Sequence, residues 1–329
     1  MKKYNLAIVG ATGLVGSTFL KVLEEYDFPI NELRLFASKK SVGKKILFRG
    51  KDYFVQELSK SGFTDIDFAL FSAGASVSLE WAPVAEACGA IVIDNSSAWR
   101  MHDDCSLIVP EINIKDYLSK RRIIANPNCS TIQSVIPLNA LKKFGIKRVN
   151  YTTYQAVSGS GQKGINDYRL CINGKDNQFY PYNIAKTCIP QIDDFTDNGY
   201  TKEEMKMVNE TRKILHMPDL AVSATCVRVP VENSHAVSVL VELEKPFELS
   251  DVYATFDKQE GLVVVDNPKQ SLYPLSVLAN DNDLVYVGRI RKDTAFNNSL
   301  LFYCVSDNIR KGAASNAVQI AKKIVESEE

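Results

Sequence analysis

The chain has 329 residues, 45% of them hydrophobic and 24% charged, which is an ordinary composition for a soluble globular protein. A chain of this length is too long to fold around one small hydrophobic core, so we predict two domains. The 39 basic residues equal the 39 acidic ones, so a net charge of zero gives no sign of nucleic-acid or membrane binding. The sequence has no apolar run of the roughly 20 residues that span a membrane.

The N-terminus lacks the long apolar core and the cleavage site of a secretion signal. Seven cysteines are scattered singly without a Cys-x-x-Cys pair, and only three histidines are available to complete a zinc site. An odd number of isolated cysteines is typical of reduced thiols in a cytosol. We therefore expect a cytoplasmic protein without a structural metal.

The first element is a predicted buried strand, Tyr4–Val9, which leads into Gly10-Ala-Thr-Gly-Leu-Val-Gly16 and a predicted helix at residues 17–23. A glycine turn between a strand and a helix lets the backbone approach a pyrophosphate at the helix N-terminus. The spacing is G-x-x-G-x-x-G, a variant of the usual dinucleotide fingerprint, and such glycines can also serve packing alone. The flanking elements favour cofactor binding.

A second predicted strand, residues 33–38, ends where NAD enzymes usually carry an acidic residue for the ribose hydroxyls. This chain has Ser38-Lys39-Lys40-Ser41 at that place. Two cations and two hydroxyls suit a 2′-phosphate, so the sequence favours NADP over NAD. A solvated lysine-rich loop would give the same pattern.

The next part of the chain alternates predicted strands with helices. The further strands are predicted at residues 52–58, 66–71, 90–93 and 107–109. A helix is predicted at residues 76–88, with an interruption at Pro83. This alternation predicts a doubly wound, mainly parallel α/β sheet with ligands at the carboxyl ends of its strands. Ser72 and Arg100 follow two of these strands, and a guanidinium at such an edge can bind a phosphate or a carboxylate, although the spacing alone favours a surface arginine paired with nearby acids.

The stretch Asn126-Pro-Asn-Cys-Ser-Thr131 separates a predicted strand from a helical pattern that ends at Gly145, with a kink or break expected at Pro137. Cys129 therefore lies at the start of a helix. Unpaired N–H groups and the positive end of the helix dipole stabilise a thiolate in that position. Cys129 is thus a candidate nucleophile, although a buried core cysteine is the commoner outcome.

The second half of the chain is richer in predicted antiparallel sheet. A strand at residues 148–157 is followed by a loop-rich stretch and then by a helix at residues 202–216. Two β-rich runs, residues 220–230 and 234–244, are separated by a short loop and predict a hairpin. Arg228 and His235 would then lie near its two adjoining strand ends.

The remaining predicted elements are strands at residues 262–266, 284–288 and 300–305 and a closing helix at residues 308–327. We expect the closing helix to pack on the first domain. The predicted fold is an α/β Rossmann-type NADP-binding domain, residues 1–128 with 308–329, and an α+β catalytic and dimerisation domain, residues 129–307, with a mainly antiparallel sheet.

The chain resembles the aspartate-semialdehyde dehydrogenase family over almost its whole length. The matching stretches, in order, are GATGLVG, ASKKSVGK, FSAG, DNSSAWRM, VPEIN, NPNCSTIQ, TYQAVSGSG, EEMKMVNETRKIL, ATCVRVPV followed by SH, VGRIRKD and SDNIRKGAA. Each stretch alone would be a weak match, but the ordered set is specific.

The resemblance implies NADPH-dependent reductive dephosphorylation of L-aspartyl 4-phosphate to L-aspartate 4-semialdehyde, a reversible step toward lysine, methionine and threonine. It implies that Cys129 forms an acyl thioester, that His235 is the acid/base and that Gln155 orients the acyl group. An acyl phosphate is already activated, so a soft thiolate suffices to displace phosphate, and the thioester accepts hydride. Collapse of the resulting adduct requires a proton transfer, which suits a histidine.

The resemblance also implies the ligand-binding residues. For the substrate they are Arg228 on the carboxylate, Glu203 on the amino group, Arg100 and Lys206 on the phosphate, and Asn128. For NADP(H) they are Gly10, Thr12, Gly13, Leu14, Val15, Ser38, Lys40, Ser41, Ser72, Ser158, Gly159 and Asn308. A homodimer is implied, with no nucleic-acid or membrane partner.

Two other functions fit parts of the sequence. The related reductase of N-acetyl-glutamyl phosphate uses the same thioester chemistry, but its substrate has an acylated amine, whereas the Glu203 carboxylate favours a free ammonium. A catalytically silent Rossmann-type protein that senses NADP would not require Cys129, His235 or Arg228.

Overall fold

The computed structural model describes residues 2–118 and 121–328 of the chain. The chain forms two compact units, Met1–Pro127 with Ala313–Glu329 and Asn128–Gly312, which we call the first and the second unit. Within the described ranges, no helix has both the length and the apolar composition that crossing a membrane requires.

The helices and strands follow the chain in this order. The strands are β1 (Tyr4–Val9), β2 (Ile30–Phe36), β3 (Lys45–Phe48), β4 (Lys51–Gln56), β5 (Phe68–Phe71), β6 (Ile91–Asp94), β7 (Ser106–Leu107), β8 (Ile123–Ala125), β9 (Ile146–Gln155), β10 (Ala221–Arg228), β11 (His235–Leu243), β12 (Leu262–Val264), β13 (Val285–Lys292) and β14 (Ser299–Ser306). The helices are α1 (Leu14–Glu25), α2 (Ala75–Ala87), α3 (Pro110–Asn113), α4 (Cys129–Leu141), α5 (Gly161–Ile172), α6 (Lys202–Ile214), α7 (Leu249–Phe256), α8 (Ser276–Ala279) and α9 (Ser315–Glu328).

The first unit contains an eight-stranded sheet in the order β3-β4-β2-β1-β5-β6-β8-β7. Its strands pair in parallel except for β3 and β4, which confirms the predicted doubly wound, mainly parallel sheet. Strand β1 lies between β2 and β5, so the connections leave it in opposite directions. Ligands of such sheets bind at this switch point, outside the carboxyl ends of the strands.

The closing helix belongs to the core of the first unit. Ile8 of β1, Phe19 of α1 and Val318 of α9 lie in one cluster of buried side chains, and each is fully buried. Burying an apolar side chain of this size stabilises the fold by about 1.5–3 kcal/mol. The apolar positions of the last helix therefore fix the end of the chain to the Rossmann-type sheet, as expected.

The helix interruption predicted at Pro83 and the break predicted at Pro137 are wrong, whereas a kink at Pro137 stays a prediction. Helix α2 continues through Pro83, and α4 continues through Pro137 as far as Leu141. A proline costs a helix interior about 3 kcal/mol, but tertiary packing supplies most of a helix's stability. Ala82 and Ala85 are buried beside Pro83, and nearly every residue of α4 is buried, so packing outweighs the local cost.

The second unit contains a six-stranded sheet in the order β10-β9-β11-β14-β13-β12. Three of its neighbouring pairs are antiparallel and two are parallel, so the mainly antiparallel sheet is confirmed. The predicted hairpin between the two β-rich runs is wrong, because β9 lies between β10 and β11. The alternation of polar and apolar residues predicts that a strand exists but does not identify its neighbour.

Helix α5 occupies part of the stretch that we predicted to be loop-rich. It begins at Gly161 and contains Gly164, and both residues lower its intrinsic stability. A Cβ at Gly164 would lie 2.5 Å from the Val157 carbonyl oxygen and 2.6 Å from the Tyr180 hydroxyl. The glycine thus permits a close packing contact, and that non-local contact was not visible in the sequence pattern.

Candidate active site

Cys129 is the first residue of α4, as the sequence predicts. The Oδ1 atom of Asn128 caps this helix by accepting the N–H groups of Ser130 at 3.0 Å and Thr131 at 3.2 Å. Cys129 is a partly exposed residue, and it lies where the helix dipole favours a negative charge. The N-P-N-C-S-T stretch therefore places Cys129 at a capped helix start through its own capping residue, Asn128.

Two other cysteines of the second unit are in unreactive surroundings. Burial raises the pKa of Cys304 to about 12. Burial, and next the nearby Glu203 carboxylate, also raises the pKa of Cys226. Because the thiolate is the nucleophilic form, neither of these thiols is suited to attack a substrate.

Three predicted site residues lie at the ends of adjacent strands in the second unit. Gln155 ends β9, Arg228 ends β10 and His235 begins β11, and all three side chains are buried. The main chain of Ala156 holds two of them. Its carbonyl oxygen accepts a hydrogen bond from Arg228 Nη1 at 2.7 Å, and its N–H donates to His235 Nδ1 at 2.9 Å. The main chain of Ala156 thus positions both the Arg228 guanidinium and the His235 imidazole.

The contact with Ala156 also fixes the tautomer of His235. A backbone N–H can be accepted only by an unprotonated ring nitrogen, so the proton of the neutral imidazole is on Nε2. Burial, and next the Arg228 cation, lowers the pKa of His235 well below its ordinary value. In the described part of the chain, the buried Nε2 atom has no hydrogen-bond partner. His235 is therefore a neutral donor.

Glu203 joins several of the predicted substrate-binding residues. Its Oε1 atom accepts hydrogen bonds from Asn128 Nδ2 at 2.9 Å and from Gln155 Nε2 at 3.1 Å, and Lys206 Nζ lies 3.0 Å from Oε2. Burial acts to raise the pKa of Glu203, but Lys206 and the amide donors outweigh it and lower that pKa. A carboxylate has about four acceptor positions, so this anion retains room for one more donor.

Lys206 is held between two carboxylates, Glu203 and Asp193. Its Nζ atom lies 2.9 Å from Asp193 Oδ2, and the side chain is 25% exposed. Burial acts to lower the pKa of Lys206, but the two carboxylates outweigh it and raise that pKa. The ammonium therefore stays charged and has three donors, two of which these carboxylates engage. Asp193 carried no signal in the sequence that would have identified it.

Ser158, Gly159 and Asn308, which were predicted to contact the cofactor, come together in the second unit. The amide oxygen of Asn308 lies 3.1 Å from the Ser158 hydroxyl and accepts the Ser234 N–H at 2.9 Å. A Cβ at Gly159 would lie 2.7 Å from Arg228 Nη1 and 3.0 Å from His235 Nε2. A glycine therefore permits this segment to lie against both Arg228 and His235.

Gly312 is a site residue that the sequence reasoning did not single out. A Cβ at this position would lie 2.7 Å from Cys129 Cβ and 3.2 Å from Cys129 Cα. Gly312 lies within a π-helical turn, Arg310–Ala314, in the SDNIRKGAA stretch. The available signal was a glycine inside a stretch that matches the family, and π-helical turns often occur at functional sites.

The glycine loop of the first unit follows β1. Gly10 has a φ of +90°, and a Cβ there would lie 2.3 Å from the carbonyl oxygen of Ser72, the residue that follows β5. A Cβ at Gly16 would lie 2.0 Å from the Gly10 carbonyl oxygen. Gly13 is the N-cap of α1 and provides no side-chain hydrogen bond to the helix N-terminus. This tight loop and uncapped helix start fit a bound pyrophosphate.

The predicted 2′-phosphate site lies in the same unit. Thr12 Oγ1 is 3.4 Å from Ser41 Oγ, so the glycine loop contacts the segment that follows β2. Ser38 and Lys40 are exposed, while Lys39 Nζ lies 3.2 Å from Glu57 Oε1. Lys40 is thus the cation of this segment that is better suited to a phosphate.

Arg100 is a buried arginine of the first unit, with an exposure of 7%. Its Nε atom donates to the Asn126 carbonyl oxygen and its Nη2 atom to the Asn95 carbonyl oxygen, both at 3.0 Å. These contacts tie the segment after β6 to the segment after β8. Arg100 is therefore not a solvated surface arginine, and its guanidinium is fixed by the main chain at the carboxyl edge of the sheet.

The Rossmann-type unit and the cysteine at a helix start fit the class of dehydrogenases that use a nicotinamide cofactor. Residues 5–120 match the model of the semialdehyde dehydrogenase NAD-binding domain, and residues 137–311 match that of the semialdehyde dehydrogenase dimerisation domain. The chain is 52% identical to the aspartate-semialdehyde dehydrogenase of Aquifex aeolicus, over 98% of both chains.

Two solved structures are also similar. Aspartate-semialdehyde dehydrogenase II of Vibrio cholerae, complexed with ASA, has a TM-score of 0.94 and 44% identity over 99% of both chains. The enzyme of Candida albicans with NADP has a TM-score of 0.79 and 25% identity over 98% of both chains. The chain belongs to the aspartate-semialdehyde dehydrogenase family, and its cofactor is NADP(H).

Proposed function

We propose that this protein reduces L-aspartyl 4-phosphate to L-aspartate 4-semialdehyde and releases phosphate, through a thioester on Cys129. The observation that carries the proposal is the position of Cys129 at the capped start of α4, with Asn128 joined through Glu203 to Gln155. The product would serve the biosynthesis of lysine, through diaminopimelate, and of methionine and threonine. A thiolate there attacks the acyl carbon and phosphate leaves, so the acyl group becomes bonded to sulfur.

The residues at the strand ends then hold the acyl group. Thr153 Oγ1 donates to Gln155 Oε1 at 3.0 Å, and Gln155 Nε2 donates to Glu203, so the amide orientation of Gln155 is fixed. His235, the proposed acid/base, carries its proton on Nε2, and this N–H forms a hydrogen bond to the acyl oxygen as negative charge develops there. NADPH, when bound, supplies the hydride that reduces the thioester to the aldehyde level.

The two ends of the aspartyl group meet groups of opposite charge. Arg228 uses one Nη1 hydrogen bond to the main chain, and its remaining N–H groups suit the α-carboxylate. Glu203 retains one acceptor position for the α-ammonium. An N-acetylated amine has no positive charge to place beside a buried carboxylate, so this pair disfavours N-acetyl-glutamyl phosphate. For the phosphate we propose Lys206 and Arg100.

We propose that Gly10, Thr12, Gly13, Leu14, Val15 and Ser72 bind the pyrophosphate side of NADP and that Ser38, Lys40 and Ser41 bind its 2′-phosphate. The tight glycine loop and the uncapped start of α1 support the first assignment. We propose that Ser158, Gly159 and Asn308 contact the nicotinamide side, since Gly159 lies against His235.

The test is to supply L-aspartate 4-semialdehyde, phosphate and NADP and to follow NADPH absorbance. We expect rapid NADPH formation that requires phosphate, and a rate at least a hundredfold lower with N-acetyl-glutamate semialdehyde. Preference for the N-acetylated substrate would support the related reductase. Absence of NADPH with both substrates would support a protein that only binds NADP.

Replacing Lys40 by alanine is expected to raise the KM for NADP about tenfold, because a favourable charge contact worth about 1.4 kcal/mol is lost. The KM for NAD should change less than twofold, since NAD has no 2′-phosphate. Lys39→Ala is the matched control, because Lys39 is paired with Glu57. Equal effects of Lys40→Ala on NADP and NAD would exclude Lys40 from the 2′-phosphate site.

We also propose a homodimer formed through the second unit. Its surface exposes large apolar side chains, among them Tyr154 at 39%, Leu275 at 43% and Val277 at 75%. Apolar groups of this size are commonly covered by a partner, and most oligomers pair identical surfaces. A cytoplasmic location is part of the proposal, since all seven cysteines are present as thiols.

A further inference from the structure

Glu210 of α6 is a buried carboxylate that has no place in the proposed reaction, and it is 1% exposed. Its Oε2 atom accepts the N–H of Asn128, the residue before the nucleophile, at 2.6 Å. We infer that Glu210 is a positioning residue that fixes the main chain from which Cys129 attacks. This inference rests on the proposed role of Cys129 as the nucleophile.

The Glu210 contact completes the fixation of Asn128. Its side chain donates to Glu203 and caps the N–H groups of Ser130 and Thr131, and its carbonyl oxygen accepts the Ile132 N–H at 2.9 Å. The remaining polar group is the main-chain N–H, and Glu210 binds it. Every polar group of the residue before Cys129 therefore has a defined partner.

Helix geometry explains how one element supplies both acidic contacts. Glu203 and Glu210 are seven residues apart on α6, close to two turns, so their side chains leave the same face of the helix. One carboxylate holds the side chain of Asn128 and the other holds its main chain. Two anchors on different parts of one residue restrict both its position and its rotation.

This restriction matters because an attacking atom must be placed accurately. A misplacement of about 1 Å can lower a rate about a hundredfold. A carboxylate is a stronger acceptor for an N–H than an amide or a hydroxyl, and the short 2.6 Å contact is typical of a charge-assisted hydrogen bond. Glu210 is therefore expected to act on the chemical step more than on substrate binding.

Glu204 provides a matched control within the same helix. It is also buried, at 7% exposure, and its carboxylate accepts the main-chain N–H groups of Thr201 at 2.7 Å and Cys226 at 2.9 Å. Glu204 thus makes the same type of contact at a place that does not hold the nucleophile. Glu204→Gln measures the structural effect of weakening such a contact.

The experiment compares Glu210→Gln with Glu204→Gln in three measurements: steady-state kinetics, iodoacetamide alkylation of Cys129 quantified by mass spectrometry, and urea unfolding. We expect both variants to lose stability. Only Glu210→Gln should lower kcat, by about 10–100-fold with KM changed less than threefold. Its Cys129 alkylation rate should also differ from that of the parent by at least threefold.

Glu210→Asp serves if the glutamine variant does not fold. It keeps the charge but withdraws the carboxylate by one methylene, and it should show the same loss of kcat. Equal effects of Glu210→Gln and Glu204→Gln on kcat, with parental alkylation of Cys129, would show that Glu210 only stabilises the fold. Alkylation requires no substrate, so it tests Glu210 even if aspartate semialdehyde is not turned over.

Discussion

Replacing Cys129 by serine is expected to lower kcat for NADPH formation by a thousandfold or more. A hydroxyl does not ionise near neutral pH, so the helix start that stabilises a thiolate has no anion to act on. Losing a covalent nucleophile commonly costs a factor of about a thousand or more. The measurement is NADPH absorbance with aspartate semialdehyde, phosphate and NADP.

The serine variant should remain folded, because Asn128 still caps α4 through the N–H groups of Ser130 and Thr131. Urea unfolding is expected to place it within about 1 kcal/mol of the parent, which is the usual range for a conservative change at a partly exposed position. A large loss of both activity and stability would instead assign Cys129 a structural role.

Two other cysteines supply the controls. Cys304→Ser removes a buried thiol whose pKa burial raises to about 12, and it should retain activity within a few-fold. Cys188 is exposed, so iodoacetamide should label it whether or not substrate is present. Labelling of Cys129 should instead be slowed by aspartate semialdehyde. Full activity of the Cys129→Ser variant would rule out the thioester route.

Local sequence signals predicted several elements because the contacts that form them are themselves local. Strand β1 lies where the apolar run predicted it, and α6 begins at Lys202 after a capping box formed by Thr201 and Glu204. The start of α4 was predictable for the same reason, since Asn128 caps the helix that follows it. The position of Cys129 at the start of a helix could therefore be predicted from the residues next to it in the sequence.

Contacts between segments that are far apart in the sequence could not be predicted from local patterns. In the expected hairpin, the strands that carry Arg228 and His235 would be direct neighbours. In the structure β9, which carries Gln155, lies between them. The insertion of β9 depends on pairing over more than 70 residues, from Gln155 to Arg228, which no local pattern encodes. The Ala156 main chain, which holds two of these side chains, had no residue-type signal at all.

Buried charges show the same limit. Glu203 and Lys206 are three residues apart on one helix, a spacing that is typical of an exposed ion pair, yet Glu203 is buried and joins Asn128 to Gln155. The family resemblance assigned Glu203 a function, but it assigned none to Glu210. Burial of both carboxylates depends on how α6 packs on α4, and helix periodicity does not specify that partner.

Replacing His235 by alanine is expected to lower kcat by about a hundredfold to ten-thousandfold, because a hydrogen-bond donor to the acyl oxygen is lost. Glutamine places an N–H near the position of Nε2, whereas asparagine reproduces only the acceptor at Nδ1. His235→Gln should therefore retain more activity than His235→Asn. The opposite order would mean that the acceptor at Nδ1 matters more than the donor at Nε2.

The pH dependence of activity tests the protonation state of His235. Burial and the Arg228 cation lower its pKa well below 6.5, so the ring stays neutral as the pH falls through 6.5. We expect kcat/KM to show no acidic decline centred near pH 6.5 in the parent, and the same shape in His235→Gln. A decline centred near 6.5 that disappears in His235→Gln would show that the ring titrates as an exposed histidine does.

The free energy of unfolding must also depend on the protonation of His235. The unfolded chain binds a proton at this histidine near pH 6.5, whereas the folded chain resists it, so the unfolded state binds more protons below 6.5. The parent should therefore lose free energy of unfolding relative to His235→Gln as the pH falls, by about 1.4 kcal/mol per unit below 6.5 until the folded ring also titrates. Urea unfolding at pH 7.5 and 5.5 measures this difference. A difference that does not change with pH would mean that the folded state leaves the pKa of His235 unshifted, and the neutral-donor role would then lose its physical basis.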